Sequence, residues 1–225
     1  MAIAKVALEK LHLDLLPRAS RKAFLFLIEN PLLKDSEWYL AGGTALSLQV
    51  GHRQSVDLDF FSTLKSFDVP SFEEKLIETG VWQTTLSREK TLYGKLIKAK
   101  ASFIAYPFFR PSGEMLKCGN VRILTPNDIA VMKILALSQR GRKRDFIDLY
   151  WYCLNREPLS AILPRIWKQY PGREHNLPHI LKSFTYFEDA EKDPLPSLFF
   201  DASWNEIKRY FQNEVPKIAE KIIKT

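Results

Sequence analysis

Cysteine is nearly absent: Cys118 and Cys153 are the only two in 225 residues. Their separation fits no metal-ligand spacing, and a single pair builds no disulfide framework, so a reducing, cytoplasmic setting is expected. Also missing is any apolar run approaching the roughly 18 residues of a membrane span. The first residues, Met1-Ala2-Ile3-Ala4-Lys5-Val6, lack the long apolar centre of a secretory leader. There is no internal repeat and no low-complexity tract. Acidic side chains are outnumbered, 26 Asp and Glu against 33 Lys and Arg, for a formal net charge of +7. That balance favours an acidic partner or substrate, nucleic acid being the commonest, although charge also serves solubility alone. Aromatic residues, by contrast, are plentiful. Fifteen Phe, 8 Tyr and 5 Trp in a chain that is 46% hydrophobic fill a real core and argue against disorder. The length suits one large domain, or a catalytic domain with a helical one attached.

Periodicity divides the chain near residue 125. Residues 5–30 carry helical spacing, with Pro17 at a break or start. A short buried strand is predicted over 37–41, a short helix from Thr44 to Gln49, a loop over 51–54 and a strand over 55–61. Pro70-Ser71 opens a helix that runs to about Thr79. Strand-like runs follow at 81–88, 92–99 and 101–106, with Gly94 loosening the second, and a short strand at 121–124. From Thr125 onward the pattern is helical. Thr125 suits a cap and Pro126 the first helical position. Helices are predicted over 126–139, 143–154, 158–169, 177–184 and 202–223, the last broken near Pro216. The expected fold class is α+β: a mixed sheet flanked by helices over residues 1–124, then a helical region over 125–225 that closes a cleft.

The most informative residues are Gly42-Gly43-Thr44 and the run Ser55-Val56-Asp57-Leu58-Asp59-Phe60-Phe61. Side chains two apart on a strand share a face. Asp57 and Asp59 therefore lie side by side, with Val56, Leu58 and Phe60 on the opposite face. Two adjacent carboxylates repel unless a positive charge sits between them, and Mg²⁺ is commonly held by one or two carboxylates plus substrate phosphates. A strand ending in Gly-Gly before a helix offers backbone N–H groups at a positive helix end, close enough for phosphate. Together the parts suit metal-assisted nucleotide chemistry, with Mg²⁺, or Mn²⁺ in its place, on Asp57 and Asp59. Each half alone also occurs as an ordinary strand end or a solvated strand face. His52-Arg53, on the loop entering the aspartate strand, could contact phosphate, or Arg53 could pair with Asp57 or Asp59.

In the helical half, Ile129-Ala130-Val131-Met132-Lys133-Ile134-Leu135-Ala136-Leu137 holds one charge in nine residues. A helix this apolar is buried, so Lys133 either joins an ion pair or reaches a phosphate. Asp128 sits where an acid completes a helix cap. Asp145 and Asp148, three apart, share a helix face. Asp145 is placed to stabilise the helix start and to pair with Lys133. The cations of Arg140-Gly141-Arg142-Lys143-Arg144 are either a solvated turn or an RNA or triphosphate contact. The basic final helix (Lys208, Arg209, Lys217, Lys221, Lys224) reads as a solvated amphipathic face.

From Ala41 through Phe61 the sequence resembles the signature of the AbiEii/AbiGii toxin family, within the polymerase-β-like nucleotidyltransferase superfamily. Asp128-Ile129-Ala130-Val131-Met132-Lys133 and the basic pair followed by Asp145-x-x-Asp148-Leu149 resemble its later elements. The resemblance implies a polymerase-β-like domain and a toxin of a type IV toxin–antitoxin or abortive-infection system. It implies transfer of a nucleotide from a nucleoside triphosphate to an RNA acceptor hydroxyl, with tRNA the expected acceptor, and a DNA-binding antitoxin encoded nearby. No membrane partner is expected. The site residues it implies are Asp57, Asp59, Lys133 and Asp145 for catalysis, and Gly42, Gly43, Thr44, His52, Arg53, Ser55 and Lys133 for the nucleotide.

One feature departs from that pattern. Active relatives carry a third carboxylate on a neighbouring strand, and Lys98–Tyr106 contains no Asp or Glu; Ser102 takes the expected place. Two alternatives to RNA transfer therefore stand: nucleotide binding with weak or no transfer, and modification of a partner protein.

Overall fold

The computed structural model describes residues 3–5 and 7–224. Among these, eight strands make one mixed sheet: β1 (Ile3–Lys5), β2 (Tyr39–Ala41), β3 (Leu58–Ser62), β4 (Trp82–Arg88), β5 (Thr91–Leu96), β6 (Ala99–Ala105), β7 (Met115–Cys118) and β8 (Val121–Ile123). Their order across the sheet is β1-β7-β8-β2-β3-β6-β5-β4. The helices are α1 (Arg18–Glu29), α2 (Gly42–Val50), α3 (Val69–Glu78), α4 (Pro126–Arg140), α5 (Lys143–Asn155), α6 (Leu159–Ile162), α7 (Arg165–Gln169), α8 (Leu177–Ser183), α9 (Glu188–Glu191) and α10 (Trp204–Ile223). The architecture is α+β, a mixed sheet flanked by helices with a helical C-terminal half, as the sequence led us to expect.

The sheet's central strands give each face a distinct role. β3 runs antiparallel to β2 and parallel to β6, with Asp59 opposite Ala41 and Ser102, and Phe60 opposite Phe103. Leu58 and Phe60 are fully buried. Phe60 stacks on Phe103 at 5.0 Å between ring centroids, and Phe72 of α3 meets Phe103 edge-on at 4.9 Å. Rings offset or edge-on in this way add to the gain from burial alone. The opposite face carries Asp59, Phe61, Ser102 and Ile104, and α4 covers it across a cleft. α4 is buried on most sides: Ile129, Val131, Ile134, Leu135 and Leu137 all lie in the core. It packs against α2, α5, α7 and α8, so one continuous apolar core spans both halves of the chain.

Several sequence expectations shift in detail. The ladder of β3 begins at Leu58, so Ser55–Asp57 lie outside it, without strand partners. Val56, expected on the apolar face, is 46% exposed because it precedes the ladder; its carbonyl accepts a 2.6 Å hydrogen bond from Ser20. α2 starts at Gly42 rather than Thr44. The turn between β5 and β6 falls at Ile97 and Lys98, both at positive φ, which moves each strand end. Gly94 does not loosen β5: a Cβ there would lie 2.2 Å from the Trp82 ring, so glycine lets the indole cross the strand. The helix expected over 158–169 is split into α6 and α7, with Leu163 and Pro164 between them. Pro216 does not break α10. Pro216 and Gln212, whose carbonyl loses its donor, both face solvent, where water can take the bond. β7 and α9 were not anticipated. Both are short, and a four-residue element leaves little periodicity to read.

Candidate active site

The cleft between sheet and α4 has a volume of about 470 Å³, within the range of small-molecule sites. Gly42, Gly43, Arg53, Ser55, Asp57 and Asp59 line one end, with Lys133, Arg140 and Arg144 opposite. Gly42 adopts φ +69°, a left-handed conformation that favours glycine, and a Cβ there would sit 3.5 Å from Asp59 Oδ2. The first N–H groups of a helix have no partner within it, so the start of α2 brings free donors to this end. The Thr44 hydroxyl donates to the Asp57 carbonyl and shares a 2.9 Å hydrogen bond with Ser55. That bond fastens α2 to the chain entering β3. Thr44 is buried and does not line the cleft, whereas Ser55 does.

The two aspartates have different surroundings. Asp57 is half-buried and faces the Arg144 guanidinium at 3.3 Å. Asp59 lies deeper, and its Oδ1 accepts a 2.8 Å hydrogen bond from Ser102. Burial pushes the Asp59 carboxyl above its ordinary range, with the neighbouring Asp57 adding to the rise. Ser102 thus occupies the register next to Asp59, where the family resemblance implies a third acid. Among the described residues no group of three or more His, Cys, Asp or Glu is arranged to hold a metal ion by itself. Two carboxylates on one face fit a hard divalent cation whose other ligands come from substrate phosphate and water.

Behind this surface lies a buried ion network. Asp148, fully buried, accepts from Arg53 Nε at 2.5 Å and Nη2 at 2.9 Å and from His52 Nε2 at 2.7 Å, and pairs with Lys133 Nζ at 2.7 Å. Lys133 Nζ also meets Asp145 Oδ1 at 2.6 Å, and Arg140 Nε meets Asp145 Oδ2 at 3.0 Å. Burial alone would raise both carboxyls. The cations override it: Lys133 and Arg140 hold Asp145 below its usual range, and Arg53 and Lys133 hold Asp148 well below. Burial lowers the His52 pKa, so this ring is neutral and donates Nε2–H rather than forming a true ion pair. Its Nδ1 is buried with no hydrogen-bond partner among the described residues. Within the network three cations face two carboxylates.

The structure therefore gathers Gly42, Gly43, Arg53, Ser55, Asp57, Asp59 and Lys133 around one cleft. It sets His52, Thr44 and Asp145 behind the surface, where they hold others in place. The two readings of Lys133 coexist, since it is paired and lines the cleft. Arg53 pairs with Asp148, not with Asp57 or Asp59. Asp128 does not cap α4 with its own carboxylate; the Thr125 side chain accepts from Asp128 N, while the carboxylate accepts from Ser112 and Gln169. The sequence offered Arg140 and Arg144 as a phosphate contact and paired Asp148 with Asp145 on a helix face without assigning them to the site; it missed the aromatic end of the cleft formed by Phe61, Tyr106 and Tyr170. The period-two step from Asp59 to Phe61 was the available signal for that end.

Gly43 supports a direct test. A Cβ at this position would lie 2.1 Å from Arg53 Nη2, and that guanidinium is pinned by Asp148. Gly43→Ala is expected to cost about 1–3 kcal/mol through overpacking. Gly113→Ala, with open space around it, is expected to change little. Urea denaturation of both variants checks this; equal stability of the two would contradict the tight fit.

A family model described as the nucleotidyl transferase AbiEii toxin of type IV toxin–antitoxin systems matches residues 26–97 and 108–222. The chain belongs to the AbiEii nucleotidyltransferase toxin family. The stretch between the two matched segments, 98–107, contains β6 and Ser102. This AbiEii member is 32% identical over 191 residues to an uncharacterized protein of Aquifex aeolicus (strain VF5), covering 82% of this chain and 89% of the other. Its fold is similar to that of MenT4, a nucleotidyltransferase toxin of Mycobacterium tuberculosis H37Rv. The TM-score is 0.53 at 15% identity, covering 89% of this chain and 86% of MenT4. A candidate nucleotidyltransferase of H. pylori gives a TM-score of 0.53 at 16% identity, covering 97% and 98%. The AbiEii chain is thus a nucleotidyltransferase by family, on a fold shared with other members of that class. No helix among its described residues is long and apolar enough to cross a membrane.

Proposed function

We propose that this AbiEii-family protein transfers a nucleotide from a nucleoside triphosphate to an acceptor hydroxyl on RNA, with tRNA as the acceptor class. The reaction takes place in the cytoplasm, and a DNA-binding antitoxin encoded nearby restrains it. The observation that carries this reading is the shared cleft face of Asp57 and Asp59 beside a glycine turn and three paired cations. Asp57 and Asp59 would hold Mg²⁺, or Mn²⁺ in its place, which neutralises phosphate charge when bound. The free N–H groups at Gly42 and Gly43 face the distal phosphates. Arg53, Lys133 and Arg140 supply opposite charge to the pyrophosphate as it leaves. Asp145 and Asp148 hold the Lys133 ammonium in position. The acceptor oxygen bonds to the α-phosphorus as the bond to pyrophosphate breaks, and the hydroxyl proton passes to water.

A second reading has its own support. Ser102 stands where a carboxylate would take that proton, which favours nucleotide binding with slow or no transfer. Calorimetry with each triphosphate and Mg²⁺, run beside transfer of labelled nucleotide to total RNA, separates the two. Binding with label transfer supports the enzyme; binding with no transfer to any RNA supports the second reading; no binding at all overturns both.

A further inference from the structure

We infer that an exposed strip of aromatic and basic side chains, running out from the aromatic end of the cleft, is the track for a single-stranded RNA end. The inference rests on the proposed transfer reaction and adds the surface that delivers its acceptor. It begins with direction. Along β3, Ala41 and the glycine turn after it pair at Asp59, while Tyr39 pairs with Phe61 farther along. The glycine turn and Phe61 therefore lie on opposite sides of Asp59. In-line displacement places the acceptor opposite the leaving pyrophosphate, which is the Phe61 side.

From Phe61 a continuous series of rings leads outward. Phe61 meets Tyr106 at 5.7 Å, and Tyr106 meets Phe108 at 5.6 Å and Tyr170 at 6.2 Å. Tyr170 meets His175 at 6.4 Å, and His175 meets Trp167 at 5.8 Å. The outer members are open to solvent: Phe108 is 44% and Trp167 46% exposed. Cations border them. The Arg173 guanidinium lies 3.9 Å from the Phe108 ring centroid, and Arg110 and Lys168 are exposed on the flanking loop and helix. Glu174 is the carboxylate within the same turn. Rings that stack bases, set among cations that follow the phosphates, are the chemistry of single-strand binding.

The strip is held firmly. Arg110 N donates to the Gln169 carbonyl at 2.7 Å, and Ser112 N donates to Asp128 at 3.0 Å. Phe109 is fully buried, 5.1 Å from Tyr170, while its neighbour Phe108 points outward. Such anchoring keeps the outer rings in place without the acceptor, which reduces the ordering cost of binding.

Fluorescence anisotropy with a labelled mixed-sequence single-stranded RNA of about a dozen nucleotides tests the strip, with a blunt duplex of the same sequence as comparison. All variants sit at exposed or part-exposed positions, and calorimetry with Mg²⁺ and triphosphate reports the cleft separately. Phe108→Ala with Trp167→Ala is expected to weaken single-strand binding by about five- to a hundredfold per ring. Arg110→Gln with Arg173→Gln is expected to reduce the slope of log affinity against log salt by about 1.4, at about 0.7 for each single-strand phosphate contact. Both doubles retain wild-type triphosphate affinity. Either double binding the single strand like wild type would overturn the inference. So would equal affinity for the blunt duplex, or variants that keep RNA binding and lose a protein partner instead. If the proposed transfer reading alone is wrong, the wild type binds the single strand through the strip but adds no label to it from any triphosphate.

Discussion

Asparagine in place of Asp59 is expected to lower nucleotidyl transfer by about a thousandfold or more while leaving the fold at least as stable. A divalent cation contributes several kcal/mol to transition-state charge, and each 1.36 kcal/mol is about tenfold in rate. Asparagine keeps the size of the side chain and still accepts the Ser102 hydroxyl through its amide oxygen. It removes a part-buried negative charge that has no ion-pair partner among the described residues. The sign follows from the raised carboxyl pKa of Asp59. A folded pKa above the unfolded one means that ionised Asp59 opposes folding at neutral pH, so removing the charge relieves that cost. Loss of activity with retained or raised stability is the pattern of a residue kept for chemistry. Transfer assays and thermal melts on one preparation read both halves. A variant that melts well below wild type, or transfers at the wild-type rate, would contradict this assignment.

Asp148→Ala should do the reverse, striking first at the fold. Its carboxylate is fully buried, accepts three hydrogen bonds from Arg53 and His52, and forms an ion pair with Lys133. Removing one partner of such a network leaves buried cations uncompensated, at a cost of about 3–5 kcal/mol. Against a total stability of about 5–15 kcal/mol, that is a large fraction. Lys133 keeps Asp145, and Arg53 keeps only the Gln54 carbonyl, so Arg53 bears most of the loss. Urea denaturation measures the change; a difference below about 1 kcal/mol would refute the role given to the network. The same carboxylate sets an acid limit. Asp145 and Asp148 are depressed in the folded state, so their contribution is fully present above the unfolded carboxyl pKa, near 4. It is lost only as pH falls below that value, through the folded pKa values. Wild type is expected to lose stability more steeply than Asp148→Ala between about pH 4 and pH 2. Parallel curves for the two proteins would contradict the assigned shifts.

The parts of this site that were legible in the sequence are those with a fixed local period. Asp57 and Asp59 lie two apart next to a strand, and Gly42-Gly43 follows another, so their meeting needed only the pairing of neighbouring strands. The cleft wall from α4 was legible as a lone lysine in an apolar helix. What stayed hidden depends on contacts between distant residues. His52 and Arg53 looked like loop residues free to reach a phosphate. Asp148, 96 and 95 residues away, draws both inward. Arg140 and Arg144 read as either a solvated turn or a phosphate contact; Gly141 at positive φ folds that turn so that they meet Asp145 and Asp57. The aromatic strip joins the end of β6 to α7 through Asp128 and Gln169, and no local pattern links those segments.

The account rests on nucleotidyl transfer at Asp57 and Asp59, and the mass of the acceptor measures that most directly. Purified protein is incubated with a defined tRNA, Mg²⁺ and each nucleoside triphosphate in turn, and the RNA is weighed intact by mass spectrometry. The expected result is a gain of one or more nucleoside monophosphate masses with at least one triphosphate. Asp59→Asn should give none, and neither should the wild type under chelation. An unchanged tRNA mass with all four triphosphates, or equal gains with wild type and Asp59→Asn, would contradict it.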